Sequence, residues 1–205
     1  MHQEDVRWGK KAVVWAVLVL VISVPIIAAA RSPLLAWRDP IYILAGFAGI
    51  VGMALLLVQP LLIAGYMPGL PKTRGRRVHH WIGGSVVLAV TIHVAALWVT
   101  SPPDVVDALL FVSPTPFSIW GVIAMWAVFI SAVLALLRRR LHVRPLVWRR
   151  THGLLAVTIM GGSVIHALLI EGTMEPVSKA ILCISLLVVT LMVVVNVPDW
   201  IVRRR

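Results

Sequence analysis

Apolar residues gather along this chain into six blocks, separated by short stretches rich in proline, glycine and charge. The blocks fall at roughly residues 12–30, 41–64, 79–99, 117–137, 150–170 and 180–198. A helix rises about 1.5 Å per residue, so blocks of this length cross, or nearly cross, a hydrocarbon core about 30 Å thick. The pattern predicts an all-α integral membrane protein, a six-helix transmembrane bundle forming one domain over residues 1–205. Pro25, Pro60 and Pro198 lie in or near three spans, and membrane helices accept proline where neighbouring groups satisfy the backbone. Ala28 to Ala30 resemble a cleavage site, but the first apolar block is long for a signal peptide and is read as a span.

The connections predict loops. YMPGLPKTRG joins the second and third spans, and SPPDVVDALLFVSPTPF joins the third and fourth. Within the latter, VVDALLFV is apolar but too short to cross, so it is placed along the membrane surface. No domain linker, low-complexity tract or strong internal repeat is visible.

Composition supports the membrane reading. Hydrophobic residues make up 60% of the chain and charged ones 13%, with a mean hydropathy of +0.96. The single cysteine, Cys183, excludes an intramolecular disulfide. The net charge of +11 is a topology signal. Of 19 basic residues, all but Arg31, Arg38 and Lys179 lie before the first span, after the second, after the fourth or at the C-terminus. The positive-inside rule then places both termini in the cytoplasm of a bacterial-type inner (plasma) membrane. The same charge attracts anionic lipid and is no nucleic-acid footprint. Trp37, Trp81, Trp98, Trp148 and Trp200 fall near span ends, as an aromatic belt would.

Histidine is the chemistry left over. Of seven, His2 lies in the N-terminal tail and His142 in a basic loop, both in solvent by this reading. His79, His80 and His93 lie on the third span, His152 and His166 on the fifth. His79 and His93 are 14 residues apart, as are His152 and His166. Fourteen steps of about 100° fall about 40° short of four turns, so each pair shares a helix face, about 21 Å apart along the axis. The third and fifth spans run parallel, which sets His79 level with His152 and His93 level with His166. His80 is the alternative to His79, but its phase relative to His93 points about 140° away.

Isolated histidines in membrane helices usually hydrogen-bond a neighbouring helix, and a zinc or proton transporter would normally add carboxylates. All eight acidic residues here fall in loops, tails or span ends. Two opposed neutral imidazoles without a carboxylate suit a haem iron with two axial histidines. Gly83, Gly84, Gly153, Gly161 and Gly162 lie beside these histidines, where glycine lets a flat ring or another helix approach. Arg76, Arg77, Arg149 and Arg150 lie at the cytoplasmic end, placed to meet haem propionates or to anchor the topology.

These residues carry a resemblance. RRVHHWIGG followed by TIH, then PFSIWGVIAMW, then VWRRTHGLLA followed by VIHALL, resembles the ferric reductase-like transmembrane domain. That family includes NADPH oxidases, yeast-type ferric reductases and the haem-binding membrane subunit of bacterial periplasmic methionine sulfoxide reductase. The likeness covers spans two to six. It implies two haem b groups, with His79, His93, His152 and His166 as axial ligands. Unlike the large members, these 205 residues show no flavin- or nicotinamide-binding segment after the sixth span. The expectation is therefore a membrane cytochrome b that moves electrons from cytoplasm to periplasm as the electron-transfer subunit of an oxidoreductase. Its donor would be a cytoplasmic flavin reductase supplying FMN or FAD, or a membrane quinol. Its acceptor would be a periplasmic oxidoreductase or a ferric chelate. The alternative is a non-redox transporter or assembly factor with structural histidines.

Overall fold

The computed structural model describes residues 2–172 and 174–196, and every regular element among them is helical. The helices are α1 (His2–Ala30), α2 (Pro40–Ala64), α3 (Lys72–Thr100), α4 (Pro102–Leu109), α5 (Pro116–Leu137), α6 (Pro145–Leu169) and α7 (Pro176–Asn196), with a 3-10 turn at Pro33–Leu35. All but α4 are long and apolar enough to cross a bilayer, which makes this a multi-pass membrane protein.

Proline starts most of these helices. α2, α4, α5, α6 and α7 each begin on one, because the first turn has no partner for an N–H and proline's fixed φ already suits a helix. Asp39 caps α2 by accepting from the Ile41 N–H at 2.7 Å, and Glu175 caps α7 by accepting from Val177 and Ser178 at 2.8 and 2.6 Å. α2 stops at Gly65, whose φ of 75° is the left-handed conformation that glycine adopts without strain.

α7 begins at Pro176, four residues before the expected 180, and three other helices start earlier still than the apolar pattern places them. α1 begins at His2 instead of near 12, α3 at Lys72 instead of 79, and α6 at Pro145 instead of 150. Hydropathy marks where contact with lipid begins, whereas backbone hydrogen bonding carries a helix past that boundary. The segment Lys72–Gly75, read as loop, is the first turn of α3, and His2 lies in α1. The other proline-rich connection does hold a short surface element, α4, with Val105 buried and Val106 exposed. Pro198, Asp199, Trp200 and Arg203–Arg205 lie outside the described residues.

The core gathers where α2, α3, α5, α6 and α7 converge. Leu57, Leu182, Cys183 and Leu186 are almost fully enclosed, and Met53, Val86, Val128, Ile159 and Val164 pack with them. Outward residues such as Leu136, Leu154 and Val195 are exposed and apolar, as a lipid-facing surface requires. α2 packs along α3 and α5 along α6, while α7 closes against α1, α2 and α6. α3 and α6 face each other without close backbone packing.

Gly162 holds α6 against α5. A Cβ there would stand 3.0 Å from the Trp120 carbonyl oxygen and 3.1 Å from the Ala124 Cβ. Gly162→Val should therefore destabilise the protein by about 1–3 kcal/mol, as overpacking does, and lower its melting temperature in detergent. An unchanged melting temperature would mean that α5 and α6 can spread at no cost.

Candidate functional site

Two helices running in the same direction supply the histidines: His79 and His93 from α3, His152 and His166 from α6. They meet in facing pairs at two levels. The ring centroids of His79 and His152 lie 6.2 Å apart with planes crossed at 81°. Those of His93 and His166 lie 6.3 Å apart with planes crossed at 84°. The first pair is here called inner, being nearer the ends of α3 and α6 that carry Arg74, Arg76, Arg77, Arg149 and Arg150. Between the levels lies core that includes Val86 and Ile159.

Each imidazole is held at Nδ1 from the helix beside it. His93 Nδ1 contacts the Ala45 carbonyl of α2 at 2.7 Å, and His166 Nδ1 contacts the Phe117 carbonyl of α5 at 2.9 Å. His152 Nδ1 meets the Ser131 hydroxyl of α5 at 3.0 Å. His79 Nδ1 lies against the side-chain amide of Gln59 on α2. None of the four Nε2 atoms has a hydrogen-bond partner, and none is sealed from its surroundings.

The outer rings fit because the facing helices carry glycine. A Cβ at Gly49 would stand 3.2 Å from His93 Nδ1, and one at Gly121 only 2.7 Å from His166 Nδ1. Each glycine sits one helical turn beyond the carbonyl that receives the histidine, so the imidazole lies directly on the helix backbone.

This arrangement is built twice. Ala45, Gly49 and Gln59 of α2 are followed 72 residues later by Phe117, Gly121 and Ser131 of α5. His79 and His93 of α3 are followed 73 residues later by His152 and His166 of α6. The hairpin α2–α3 thus recurs as α5–α6, with one extra residue in the second turn region. Residue identities hide the repeat, because what recurs at three of these positions is a backbone or a hydrogen-bonding role.

The spacing of the paired rings matches bis-histidine ligation of a haem iron. A metal–imidazole bond is about 2.0–2.1 Å and a ring nitrogen lies about 1.15 Å from its centroid, so two imidazoles on opposite sides of one metal have centroids about 6.3–6.5 Å apart. The observed 6.2 and 6.3 Å fit. A metal-bound histidine characteristically gives its other N–H to an oxygen that fixes the ring, and each Nδ1 has an oxygen-bearing group beside it. Among the described residues no three His, Cys, Asp or Glu side chains gather. Donors that come in twos suit a cofactor that brings its own equatorial ligands better than a bare ion.

The remaining sequence candidates divide. His80 is exposed; its ring lies 6.0 Å from that of His79, and it is His79 that faces α6. His142 is exposed in the α5–α6 connection at a φ of 49°. Arg76, Arg77, Arg149 and Arg150 are exposed at the basic end, beside the inner pair. Gly83 packs against the Gln59 amide and Gly162 against α5, while Gly84 and Gly161 border open space. Trp148 does more than mark the membrane boundary. Its indole stacks on His152 at 4.8 Å and 16°, and the Arg138 guanidinium covers its ring at 5.1 Å.

Gln59, Ser131, Gly49, Gly121 and Trp148 were not legible as site residues in the sequence. One signal was available for Gln59: a lone amide within LLLVQPLLIA, where an unpaired polar group is costly.

Comparison with known proteins agrees with this architecture. No curated protein and no solved structure matches the chain. Residues 45–162 match the model of the ferric reductase like transmembrane component. The match runs from the carbonyl that holds His93 past His152 and covers more than half of the 205 residues. The chain belongs to the ferric reductase-like transmembrane family.

Proposed function

We propose that this protein is a membrane cytochrome b that carries electrons from a cytoplasmic donor to a periplasmic acceptor. Two bis-histidine haem b groups would be held by His79 with His152 and by His93 with His166. Domains of this family generally bind haem and usually pair with cytoplasmic flavin and NAD(P)H domains. The observation that carries the reading is the repeated one: at two depths, opposed imidazoles stand at ligation distance, each engaged at Nδ1 and unpartnered at Nε2.

A haem with two axial histidines exchanges one electron at a time and leaves no coordination position for substrate. The protein's own residues hold and insulate. The carbonyls of Ala45 and Phe117 orient His93 and His166, and Gln59 and Ser131 do so for His79 and His152. The apolar layer with Val86 and Ile159 keeps water from between the two levels. Arg76, Arg77, Arg149 and Arg150 would meet propionates at the basic end, which the charge distribution assigns to the cytoplasm. The stack of Arg138, Trp148 and His152 extends the inner site towards that surface. A flavin or quinol is the proposed donor, because a nicotinamide gives up two electrons as a hydride and each haem takes one. A periplasmic oxidoreductase or a ferric chelate is the proposed acceptor. The single domain is assigned to residues 1–205, in a bacterial-type inner membrane.

Purified protein produced with ample haem should show b-type absorbance and yield two haems per chain by pyridine haemochrome assay. Crossed imidazole planes should also give the oxidised protein a highly anisotropic low-spin EPR signal. One haem per chain in fully loaded protein would reduce the model to a single site. A colourless preparation would favour the non-redox alternative, with histidines that only join helices.

A further inference from the structure

The two levels differ in what holds the histidines. The outer rings meet main-chain carbonyls, which only accept hydrogen bonds. Nδ1 of His93 and of His166 must therefore carry the proton, so Nε2 is bare before any metal arrives. The inner rings meet a hydroxyl and a side-chain amide, and each of these groups can either accept or donate. The Gln59 oxygen lies against His79 Nδ1; with the amide turned over, its nitrogen would instead donate to His79 Nδ1 and, at 3.3 Å, to the His79 carbonyl, and its oxygen would accept from the Gly83 N–H at 2.8 Å. That turned-over orientation would make Nδ1 an acceptor and put the proton on Nε2, the wrong tautomer for a ligand bound through Nε2. Only the orientation with oxygen at Nδ1 leaves Nε2 bare for iron, so the inner site has a choice of tautomer that the outer site lacks.

Burial adds a second argument. Among the described residues only three polar side chains are buried: Gln59, Ser131 and Ser178. Ser178 is accounted for at the start of α7, where it bonds Glu175. The other two occupy equivalent positions of the repeated hairpin, and both face the inner histidines. Nothing in the packing of α2 or α5 calls for a polar group at either place.

Resting on the reading of these pairs as haem ligands, we propose that Gln59 and Ser131 are positioning residues that make the inner haem the separately tuned and less pre-organised of the two. They act through His79 and His152. An acceptor at Nδ1 makes the imidazole a more basic ligand and favours ferric iron. Removing the acceptor raises the midpoint potential, and a stronger acceptor lowers it. A histidine whose partner can hold either tautomer has its apparent affinity reduced by the fraction in the wrong form. The outer haem therefore loads first.

The test uses full-length protein with both haems bound, in a spectroelectrochemical titration. Ser131→Ala and Gln59→Met should each raise the potential of one haem and leave the other unchanged. Gln59→Glu should lower the potential of that same haem. A purely structural role would not give shifts of opposite sign confined to one centre. In a second measurement, apoprotein receives half an equivalent of haem per site. The haem bound by wild-type protein should then carry the spectrum and potential that His79→Ala retains, not those that His93→Ala retains. Equal shifts in both haems, no shift in any variant, or even filling of the two sites would overturn the proposal while leaving two bis-histidine haems in place. Wild-type protein that takes up no haem would instead remove the reading on which it rests.

Discussion

Replacing His93 or His166 with alanine is expected to remove one haem from this protein, replacing His79 or His152 to remove the other, and replacing His80 to remove neither. The outer pair stands alone at its level, while the inner pair has His80 beside it, with its ring 6.0 Å from that of His79. Axial ligation by two residues leaves no substitute when one is lost, so occupancy of the affected site should fall at least 10-fold, at or above the effect usual for a supporting residue. His80 is the informative control. It adjoins His79 in sequence but is exposed, and the ring that faces His152 belongs to His79. Pyridine haemochrome content and the number of waves in a redox titration provide the measurement. Loss of the inner haem in His80→Ala with retention in His79→Ala would show that α3 is rotated from the orientation described.

Gly121→Ala should strip the outer haem almost as effectively as loss of a ligand, although a methyl group is all that is added. The new Cβ would fall 2.7 Å from His166 Nδ1, 2.9 Å from Cε1 and 3.3 Å from Cγ. No real side chain tolerates such contacts, so the ring must move. It is already held on its other side of the backbone by the Phe117 carbonyl at 2.9 Å, and the shift breaks that bond and turns Nε2 away from His93. A displaced supporting bond typically costs about 10–100-fold in metal-site affinity. Gly49→Ala provides the graded comparison: its contacts with His93 begin at 3.2 Å, so a shift of a few tenths of an ångström suffices. It should retain haem with an altered outer potential. Circular dichroism checks that the helices persist. Full outer-haem content in Gly121→Ala would mean that α5 and α6 yield at this contact, and that the glycine is not needed for ligand placement.

The sequence by itself determined the six spans, the helical class and the matched depths of the histidines. Each of these depends on properties that repeat along one helix. Hydropathy is set by the residues facing lipid, and the 14-residue spacings put both histidines of a pair on one face through helical pitch alone. That the ring of His79, and not that of His80, faces α6 also followed from phase within α3. What lay beyond reach was everything requiring knowledge of which helices touch. Ala45 and Phe117 act through backbone carbonyls, so their side chains carry no signal. Gly49 and Gly121 look like ordinary small residues of membrane helices until an imidazole is laid against them. Gln59 and Ser131 become site residues only because α2 lies along α3 and α5 along α6. The extra turns that open α3 and α6 escaped the apolar pattern for a related reason: a helix continues as long as its own backbone is bonded, whereas hydropathy reports only the surroundings. The doubling of the hairpin likewise emerged from contacts, because Gln59 and Ser131, or Ala45 and Phe117, share a task and a position without sharing a side chain.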